Sequence, residues 1–303
     1  MHAGNARSFL LAWLAARAAA GAIAMRIEDI DAPRVRPGAE SRLLQDLAWL
    51  GLDWDEGPDR GGPHAPYRQS ERLALYAAAL EALRRAGHVY PCWCSRAEVA
   101  ASAPHAGEEG PRYSGRCRDR SPAERARLAS RPSAWRFRVD PAPVTFVDAV
   151  HGPSSFDPAA QVGDFVIARS DGVFAYQLAV VVDDAAMQVT DVLRGDDLLS
   201  STARQILLYR ALGHPVPRFA HVPLVVGADG QRLAKRHGAL SLSDLAAAGA
   251  DPRAVVGLLA HLSGLAAPGA HLTPADLVSS FHLDRIPRAP ARLDPAALAT
   301  LAR

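Results

Sequence analysis

Helical and strand-like patterns alternate along the first 90 residues of the chain. Apolar residues at helical spacing predict helices over residues 5–20, 40–50 and 70–86, and a short apolar run predicts a strand over residues 22–27. Gly21 separates the first helix from that strand, and glycine commonly ends a helix. This alternation favours an α/β fold built on a doubly wound, Rossmann-like parallel sheet.

Strand-like patterns return after residue 147, and helical patterns follow them. A helix is predicted over residues 198–212, and strands over residues 165–168, 174–182 and 219–226. Asp251-Pro252 and Thr273-Pro274 are typical helix starts, so the end of the chain should form a small helical domain. The predicted regions are the first half of the sheet domain (1–90), an insertion (91–147), the second half of the sheet domain (148–218) and a C-terminal region (219–303).

The composition is that of a soluble globular protein. Hydrophobic residues make up 49% of the chain and charged residues 22%, and no run reaches the ~18 apolar residues that a membrane span needs. Arg7 and Arg17 interrupt the alanine-rich start, which argues against a signal peptide. A net charge of only +2 excludes a generic polyanion binder. We therefore expect a cytoplasmic monomer without a membrane partner.

The chain opens with Met1-His2-Ala3-Gly4-Asn5 at the predicted start of a helix. A helix N-terminus carries unpaired N–H groups and a partial positive charge, glycine permits close approach, and histidine can donate to phosphate oxygens. His2, Gly4 and Asn5 are therefore candidates for an anion site. The alternative is a helix that simply begins here.

A basic loop flanked by Gly230 and Gly238 lies far along the chain. Cations on such a loop can neutralise the charge that appears on a departing pyrophosphate. The candidate residues of the loop are Arg232, Leu233, Ala234, Lys235 and Arg236. A charged surface turn would give the same pattern.

An acidic group, Glu28-Asp29-Ile30-Asp31, directly follows the predicted strand over residues 22–27. Acidic side chains at the carboxyl end of a sheet strand are placed to bind an amino group or ribose hydroxyls. This group is a second candidate binding site, and helix capping by aspartate is the alternative.

The predicted insertion gathers the three cysteines of the chain, Cys92, Cys94 and Cys117. An odd number argues against a disulfide framework, and three thiolates in one short segment suit tetrahedral zinc with one ligand left to find. Tyr113 and His105 are the candidates for that ligand, and imidazole is the commoner zinc ligand. The metal would be structural, because the insertion lacks enough apolar surface for a core of its own. Burial of three structural cysteines is the alternative.

These groups together resemble the glutamyl- and glutaminyl-type class I tRNA synthetases. The HIGH motif of that family reads here as His2-Ala3-Gly4-Asn5, and its KMSKS motif as Arg232-Leu233-Ala234-Lys235-Arg236. The order and the separation of the two motifs fit the family. Other matching stretches are residues 49–58, 67–70, 174–184 and 191–198.

The resemblance implies activation of L-glutamate by ATP, which enters with Mg²⁺ as a substrate. It implies that Glu28 holds the amino group of glutamate and that Tyr176 and Arg194 complete the glutamate pocket. Lys235 should stabilise the triphosphate in the transition state. The family pattern also places Tyr113, above His105, as the fourth ligand of a structural zinc ion. The implied ATP site consists of His2, Gly4, Asn5 and the loop residues Arg232, Leu233, Ala234, Lys235 and Arg236.

The chain ends at Arg303, soon after the basic loop, whereas ordinary glutamyl-tRNA synthetases continue into a large helical domain that reads the anticodon. This architecture resembles the short members of the family, which transfer glutamate to the queuosine base of tRNA(Asp). That RNA is therefore the expected partner. The alternatives are a glutamyl-tRNA synthetase-like enzyme without the anticodon domain and a non-catalytic RNA-binding paralogue. Candidate contacts to the RNA backbone are Arg112, Arg116, Arg118 and Arg120.

Members of the family begin with a strand and an Arg-Phe-Ala-Pro-Ser-Pro segment that precede the position of Met1. Without the hydrogen bonds of that strand, we expect the 303 residues to be poorly stable and to activate glutamate slowly. Glutamate-dependent exchange between ATP and pyrophosphate should rise when any in-frame codons upstream of Met1 are included. Exchange at full rate by the 303 residues alone would contradict this expectation.

Overall fold

The computed structural model describes residues 1–102, 110–227, 229–230, 241–293, 297 and 301, apart from the side chain of Arg34. The helices are α1 Ala3–Ala18, α2 Ala39–Trp49, α3 Leu73–Arg85, α4 Arg96–Ala101, α5 Pro122–Leu128, α6 Pro158–Gln161, α7 Tyr176–Ala186, α8 Leu199–Leu212, α9 Leu242–Ala247, α10 Pro252–His261 and α11 Pro274–Val278. The strands are β1 Val89–Cys92, β2 Ala134–Phe137, β3 Val144–Asp148, β4 Gly152–Phe156, β5 Val166–Ala168, β6 Asp191–Gly195, β7 Arg218–Val222, β8 Val225–Val226 and β9 Ala291–Arg292.

The predicted α/β class is confirmed, but the prediction of a doubly wound parallel sheet is wrong for the described residues, where the sheets are mixed. The largest sheet has the order β4-β3-β7-β6, in which β3, β7 and β6 are parallel and β4 is antiparallel to β3. A short turn joins β3 to β4, and so short a connection can only produce an antiparallel pair. Strands β1, β2 and β5 form a separate antiparallel sheet, and β8 pairs with β9.

Residues 22–27, predicted as a strand, are extended but form no regular strand. The segment is held by two isolated parallel bridges, Ala24 with Glu56 and Ile27 with Arg68. The amide of Met25 also donates to the carbonyl of Glu56 at 2.8 Å. The acidic turn beginning at Glu28 therefore follows an extended segment, as predicted, but not a strand within the main sheet.

The prediction of a strand over residues 174–182 is wrong, because α7 occupies most of this stretch. Every residue from Leu178 to Asp184 is buried. A helix buried on all sides reads as one continuous apolar run, which the sequence cannot distinguish from a buried strand. The consequence for the site is that Tyr176 lies in the first turn of a helix.

Most other predicted elements are confirmed, with ends displaced by a few residues. Helices α1, α2, α3 and α8 match the predicted ones, and α10 and α11 begin at the predicted starts. At the start of α11 the side chain of Thr273 accepts from the amide of Asp276. The strand predicted over residues 219–226 is divided into β7 and β8. Pro223, which lacks an N–H for the ladder, lies between them.

Two hydrophobic clusters place the sheet between helices. Leu10 and Leu14 of α1 pack with Val255 of α10, and Ile206 of α8 packs with Phe219 of β7. Because β3, β6 and β7 are parallel, their carboxyl ends meet at one edge of the sheet. Ligand sites of α/β proteins form at this kind of edge. Among the described residues, no helix is long and apolar enough to cross a membrane.

Helix α10 packs so closely on the segment after it that one glycine cannot be replaced. A Cβ added to Gly257 would lie 1.7 Å from the carbonyl oxygen of Ala270, a backbone atom that cannot swing aside. Gly257→Ala should therefore lower the free energy of unfolding by at least about 2–3 kcal/mol. The measurement is urea denaturation followed by circular dichroism.

The matched control is Gly4→Ala in α1, where the added Cβ would meet only Val225 Cβ, at 3.7 Å. That change should be neutral or stabilise by up to about 1 kcal/mol through helix propensity. Equal stability of the two variants would show that α10 does not pack in this way.

Candidate functional site

A cleft of about 750 Å³ opens between α1, the extended segment before Glu28, the start of α7 and strands β6 and β7. Glu28, Tyr176 and Arg194, the three residues predicted to bind glutamate, all line it. Arg26 and Asp184 are among the other charged residues of the lining. The structure thus brings together side chains that are far apart in the sequence.

Arg194 projects from the carboxyl end of β6 and is held by neutral groups. Its Nε donates to Nε2 of His221 at 3.0 Å, and its Nη2 donates to Thr202 Oγ1 at 2.9 Å and to Gln205 Oε1 at 2.8 Å. The guanidinium also lies over the ring of Phe219. Burial lowers the pKa of Arg194, and interactions with Tyr176 and Asp184 oppose that shift.

Within the described part of the chain, no carboxylate lies within ion-pair distance of the Arg194 guanidinium. A partly buried cation without an anionic partner is costly, so the cleft favours a ligand that supplies a carboxylate. The guanidinium can donate a charge-assisted hydrogen bond to such a group.

Glu28 lines the same cleft as Arg194 and carries the opposite charge. Its carboxylate accepts from Nη2 of Arg26 at 3.0 Å, and Nη1 of Arg26 donates to Asp184 at 2.6 Å. Burial lowers the pKa of Arg26, but Asp184, Glu28 and Asp183 outweigh it and raise that pKa. The side chain of Glu28 is 41% exposed, so its free oxygen can meet a ligand's ammonium group.

A fully buried carboxylate, Asp183, lies beneath this pair of charges. It accepts from Arg72 Nε at 2.6 Å, from Gln69 Nε2 at 2.9 Å and from the Tyr76 hydroxyl at 2.8 Å. Burial and the charge of Asp183 raise the pKa of Tyr76, so its hydroxyl stays a donor. The network fixes α7, and with it the position of Tyr176, against α3.

Tyr176 is the first residue of α7 and lies between the charges of the cleft. Burial raises the pKa of its hydroxyl, and the negative charge of Glu28 raises it further. A neutral phenol with one donor and two lone pairs can bridge a cationic and an anionic group of one ligand.

The predicted phosphate-binding residues lie elsewhere, at the N-terminal end of α1. His2 is the N-cap, Gly4 faces Val225 of β8, and Asn5 is exposed. They do not line the cleft that contains Glu28. The first N–H groups of α1 have no acceptor within the helix, as expected at any helix start.

The predicted loop residues Arg232, Leu233, Ala234, Lys235 and Arg236 lie outside the described residues, as does His105. Described residues on both sides of the loop contact the start of α1. Val225 lies against Gly4, and the amide of Leu242 donates to the carbonyl of Met1 at 2.9 Å. The chain therefore leaves the start of α1 before the loop and returns to it afterwards.

The three cysteines converge in the insertion, beside Tyr113. Their Sγ atoms lie within 4.8 Å of one another, and Cys94 Sγ is 3.6 Å from Cys117 Sγ. The Tyr113 hydroxyl is 3.4 Å from Cys92 Sγ and 3.9 Å from Cys94 Sγ. Sulfur ligands of tetrahedral zinc are about 3.8 Å apart when each Zn–S bond is about 2.3 Å. These four side chains could therefore hold one tetrahedral ion.

Arginine side chains near the cysteine cluster favour negative charge on two of the three sulfur atoms, those of Cys92 and Cys117. Arg136 Nε donates to Cys92 Sγ at 3.3 Å, and Arg120 Nε donates to Cys117 Sγ at 3.5 Å. Burial raises the pKa of the Cys117 thiol, but the Arg120 and backbone hydrogen bonds outweigh it and lower that pKa to about 7. Burial and the neighbouring Cys92 raise the pKa of Cys94 to about 12.

Comparison with known proteins identifies the family. Residues 1–289 match the catalytic domain of class I tRNA synthetases of the E and Q type. The chain belongs to this family. The glutamyl-Q tRNA(Asp) synthetase of Symbiobacterium thermophilum is 56% identical over 99% of this chain and 94% of its own length. The protein of the same name from Nitratidesulfovibrio vulgaris is 47% identical over 96% of this chain and 91% of its own length.

Longer members of the family match over only part of their length. Glutamate–tRNA ligase 2 of Acidithiobacillus ferrooxidans is 47% identical, and the chain spans 62% of it. A crystal structure of a glutamate tRNA ligase from Elizabethkingia meningosepticum, in complex with its amino acid, superimposes with a TM-score of 0.86 at 28% identity. It covers 99% of this chain, which spans 66% of that structure. The class I synthetase fold predicted from the motifs is therefore confirmed.

Two polar residues of this class I synthetase were missed by the sequence reasoning. Asp148 and His221 are 1% and 0% exposed, yet each stands at the carboxyl end of a sheet strand and His221 touches Arg194. The sequence signal that could have identified them is a titratable residue at or near the end of an apolar, strand-like stretch. Arg26 lies within the stretch predicted as a strand over residues 22–27, and its role in orienting Glu28 was not predicted.

Proposed function

We propose that the chain activates L-glutamate with ATP and transfers the glutamyl group to the queuosine base of tRNA(Asp). The observation that carries this proposal is the pairing of opposite charges in one cleft. The partly buried guanidinium of Arg194, which has no described carboxylate partner, faces the same space as the carboxylate of Glu28. An amino acid supplies both complementary groups at once.

The cleft suggests a role for each glutamate-binding residue. Arg194 pairs with a carboxylate of the substrate, Glu28 accepts from its ammonium group, and the Tyr176 hydroxyl bridges the two. Arg26 and Asp184 keep the Glu28 carboxylate in place through the 3.0 Å and 2.6 Å hydrogen bonds described above. The site discriminates by charge, so a neutral amide side chain should bind less well.

The phosphates of ATP are assigned to the start of α1 and to the basic loop. His2, Gly4 and Asn5 offer helix N-terminal N–H groups and one imidazole, and the basic loop offers the cations of Arg232, Lys235 and Arg236. The support is the family motif, together with the contacts of Val225 and Leu242 on either side of the loop with α1. Mg²⁺ enters with ATP as part of the substrate.

The first step needs no general base. A carboxylate with a pKa near 4 is ionised at neutral pH, so a glutamate oxygen attacks the α-phosphorus directly and pyrophosphate leaves with the electron pair of the broken P–O bond. The chain contributes alignment and charge stabilisation. A hydroxyl of queuosine then attacks the carbonyl carbon of the adenylate, and AMP leaves.

The choice of acceptor rests on similarity to relatives. Two relatives named for tRNA(Asp) are 56% and 47% identical to this chain over nearly all of their own length. The arginines of the insertion are not equally available to RNA. Arg118 is bound to the buried Asp164 at 2.7 Å, whereas Arg116, although 3.2 Å from Glu98, has a side chain that is 60% exposed. Arg116 is therefore the stronger candidate for a phosphate contact.

The acceptor is tested by charging with [¹⁴C]glutamate. The proposal predicts labelling of tRNA(Asp) that carries queuosine and none of the same tRNA prepared without it, or of tRNA(Glu). ATP–pyrophosphate exchange is first measured with the 303 residues and with any form that includes in-frame codons upstream of Met1. The form with the higher exchange rate is then used for charging. Arg194→Gln should raise the KM for glutamate at least about tenfold by removing a charge-assisted hydrogen bond. Arg210→Gln, an exposed arginine of α8, is the control and should change nothing.

Labelling of tRNA(Glu) in preference to tRNA(Asp) would reassign the chain as a glutamate–tRNA ligase. Tight RNA binding without pyrophosphate exchange in any form of the chain would instead support a non-catalytic RNA-binding protein.

We further propose that Cys92, Cys94, Cys117 and Tyr113 hold a structural zinc ion. Purified protein should then contain one zinc per chain by plasma mass spectrometry, and chelation should lower Tm. Cys117→Ser should abolish binding, and Tyr113→Phe should speed zinc loss to a chelator. His105→Ala is the control and should retain zinc as the unchanged chain does. Loss of zinc by His105→Ala but not by Tyr113→Phe would assign the fourth ligand to His105.

A further inference from the structure

Three polar side chains form a line through the carboxyl ends of neighbouring parallel strands. Asp148 ends β3, His221 lies in β7, and Arg194 lies opposite His221 in the register of β6. Asp148 Oδ2 is 2.6 Å from Nδ1 of His221, and Nε2 of His221 accepts from Arg194 Nε at 3.0 Å. The line runs from the buried Asp148 to Arg194, which lines the cleft.

The hydrogen bonds determine where the imidazole proton lies. The Nε–H of arginine is always a donor, so Nε2 of His221 must accept and the proton must lie on Nδ1, facing Asp148. The hydroxyl of Thr202, 3.1 Å from Nε2, also faces an acceptor in this arrangement. Asp148 thus fixes the tautomer of His221, and the tautomer fixes the acceptor offered to Arg194.

Asp148 is itself held rigidly. Its Oδ1 accepts from the amides of Val150 and His151, both at 2.9 Å, and of His221 at 3.2 Å. Burial raises the pKa of Asp148, but the hydrogen bonds from His221 and these amides outweigh it and lower that pKa to about 2. The carboxylate therefore stays ionised at any working pH, and its second oxygen is committed to the imidazole.

We infer that Asp148 and His221 are positioning residues for the glutamate site, acting through Arg194. They hold its Nε, while Thr202 and Gln205 hold its Nη2, which leaves Nη1 for the carboxylate of a ligand. The inference rests on the proposed role of Arg194 in glutamate binding. Without the line, the guanidinium keeps its charge but loses its fixed orientation, so affinity for glutamate falls while ATP binding does not.

The decisive variant is Asp148→Asn, which is nearly isosteric. The amide oxygen can keep the three backbone hydrogen bonds, but the amide nitrogen donates to Nδ1 and moves the imidazole proton to Nε2. That N–H then faces the Nε–H of Arg194, and two donors oppose each other. Isothermal titration calorimetry should show the Kd for glutamate raised about tenfold or more, with the Kd for ATP within about twofold of the original value.

A second pair of variants keeps the test valid if Asp148→Asn does not fold. His221→Gln retains a side-chain oxygen that can accept from Arg194, and should bind glutamate nearly as well as the unchanged chain. His221→Leu removes the acceptor and should bind it weakly. In the His221→Gln background, Asp148→Asn should cost little, because no tautomer remains to be reversed.

Asp164→Asn is the matched control for a buried carboxylate. Asp164 is 4% exposed and accepts from Arg118, Tyr90 and the amide of Val139, just before β5 of the separate antiparallel sheet β1-β2-β5. The Asp164→Asn substitution should lower Tm without altering the Kd for glutamate. A purely structural role for Asp148 would make the two aspartate variants behave alike.

The outcomes separate this inference from the proposed function. If Arg194→Gln weakens glutamate binding while Asp148→Asn and His221→Leu do not, the positioning role is wrong and the assigned pocket stands. Equal loss of glutamate and ATP binding in Asp148→Asn would likewise overturn the positioning role. If Arg194→Gln leaves the Kd for glutamate unchanged, the pocket itself is wrongly assigned.

Discussion

The compensation of buried positive charge is the constraint on which this cleft depends. Arg26 is surrounded by carboxylates, since Asp184, Asp183 and Glu28 all lie within 4 Å of it. Arg194 has only neutral acceptors among the described residues. The first arginine is therefore a structural cation that orients Glu28, and the second is a cation left for a ligand. Two identical side chains in one cleft acquire different chemistry from what surrounds them.

Parallel strand pairing brings Asp148 and His221 next to Arg194. Asp148, Arg194 and His221 are far apart in the chain, and they meet because β3, β6 and β7 run in the same direction and end at one edge. An antiparallel arrangement would have placed the end of one strand beside the start of the next. Among the described strands of the main sheet, β4 alone is antiparallel, and it contributes none of the three.

The sequence predicted the residues that meet a ligand better than those that hold them. Tyr176 and Arg194 could be named because they fall in stretches that resemble a family, and Glu28 because it follows a predicted strand; the structure places all three in one cleft. His221 could not be named, because a histidine within an apolar strand is usually a satisfied core residue. Its role appears only when Arg194 is found beside it. Helix α7 was missed for a related reason, since burial on all sides removes the periodicity that distinguishes helix from strand.

The segment around the three cysteines differs from the rest of the chain in how it is stabilised. Its buried cluster is small, with Tyr90, Cys92, Val99, Tyr113 and Cys117 at its centre, and such a core stabilises little by apolar burial alone. Without a metal, burial and the neighbouring Cys92 raise the pKa of the Cys94 thiol to about 12. A divalent cation would favour ionisation of all three thiols together. Metal binding would therefore add the stabilisation that this small apolar core does not supply.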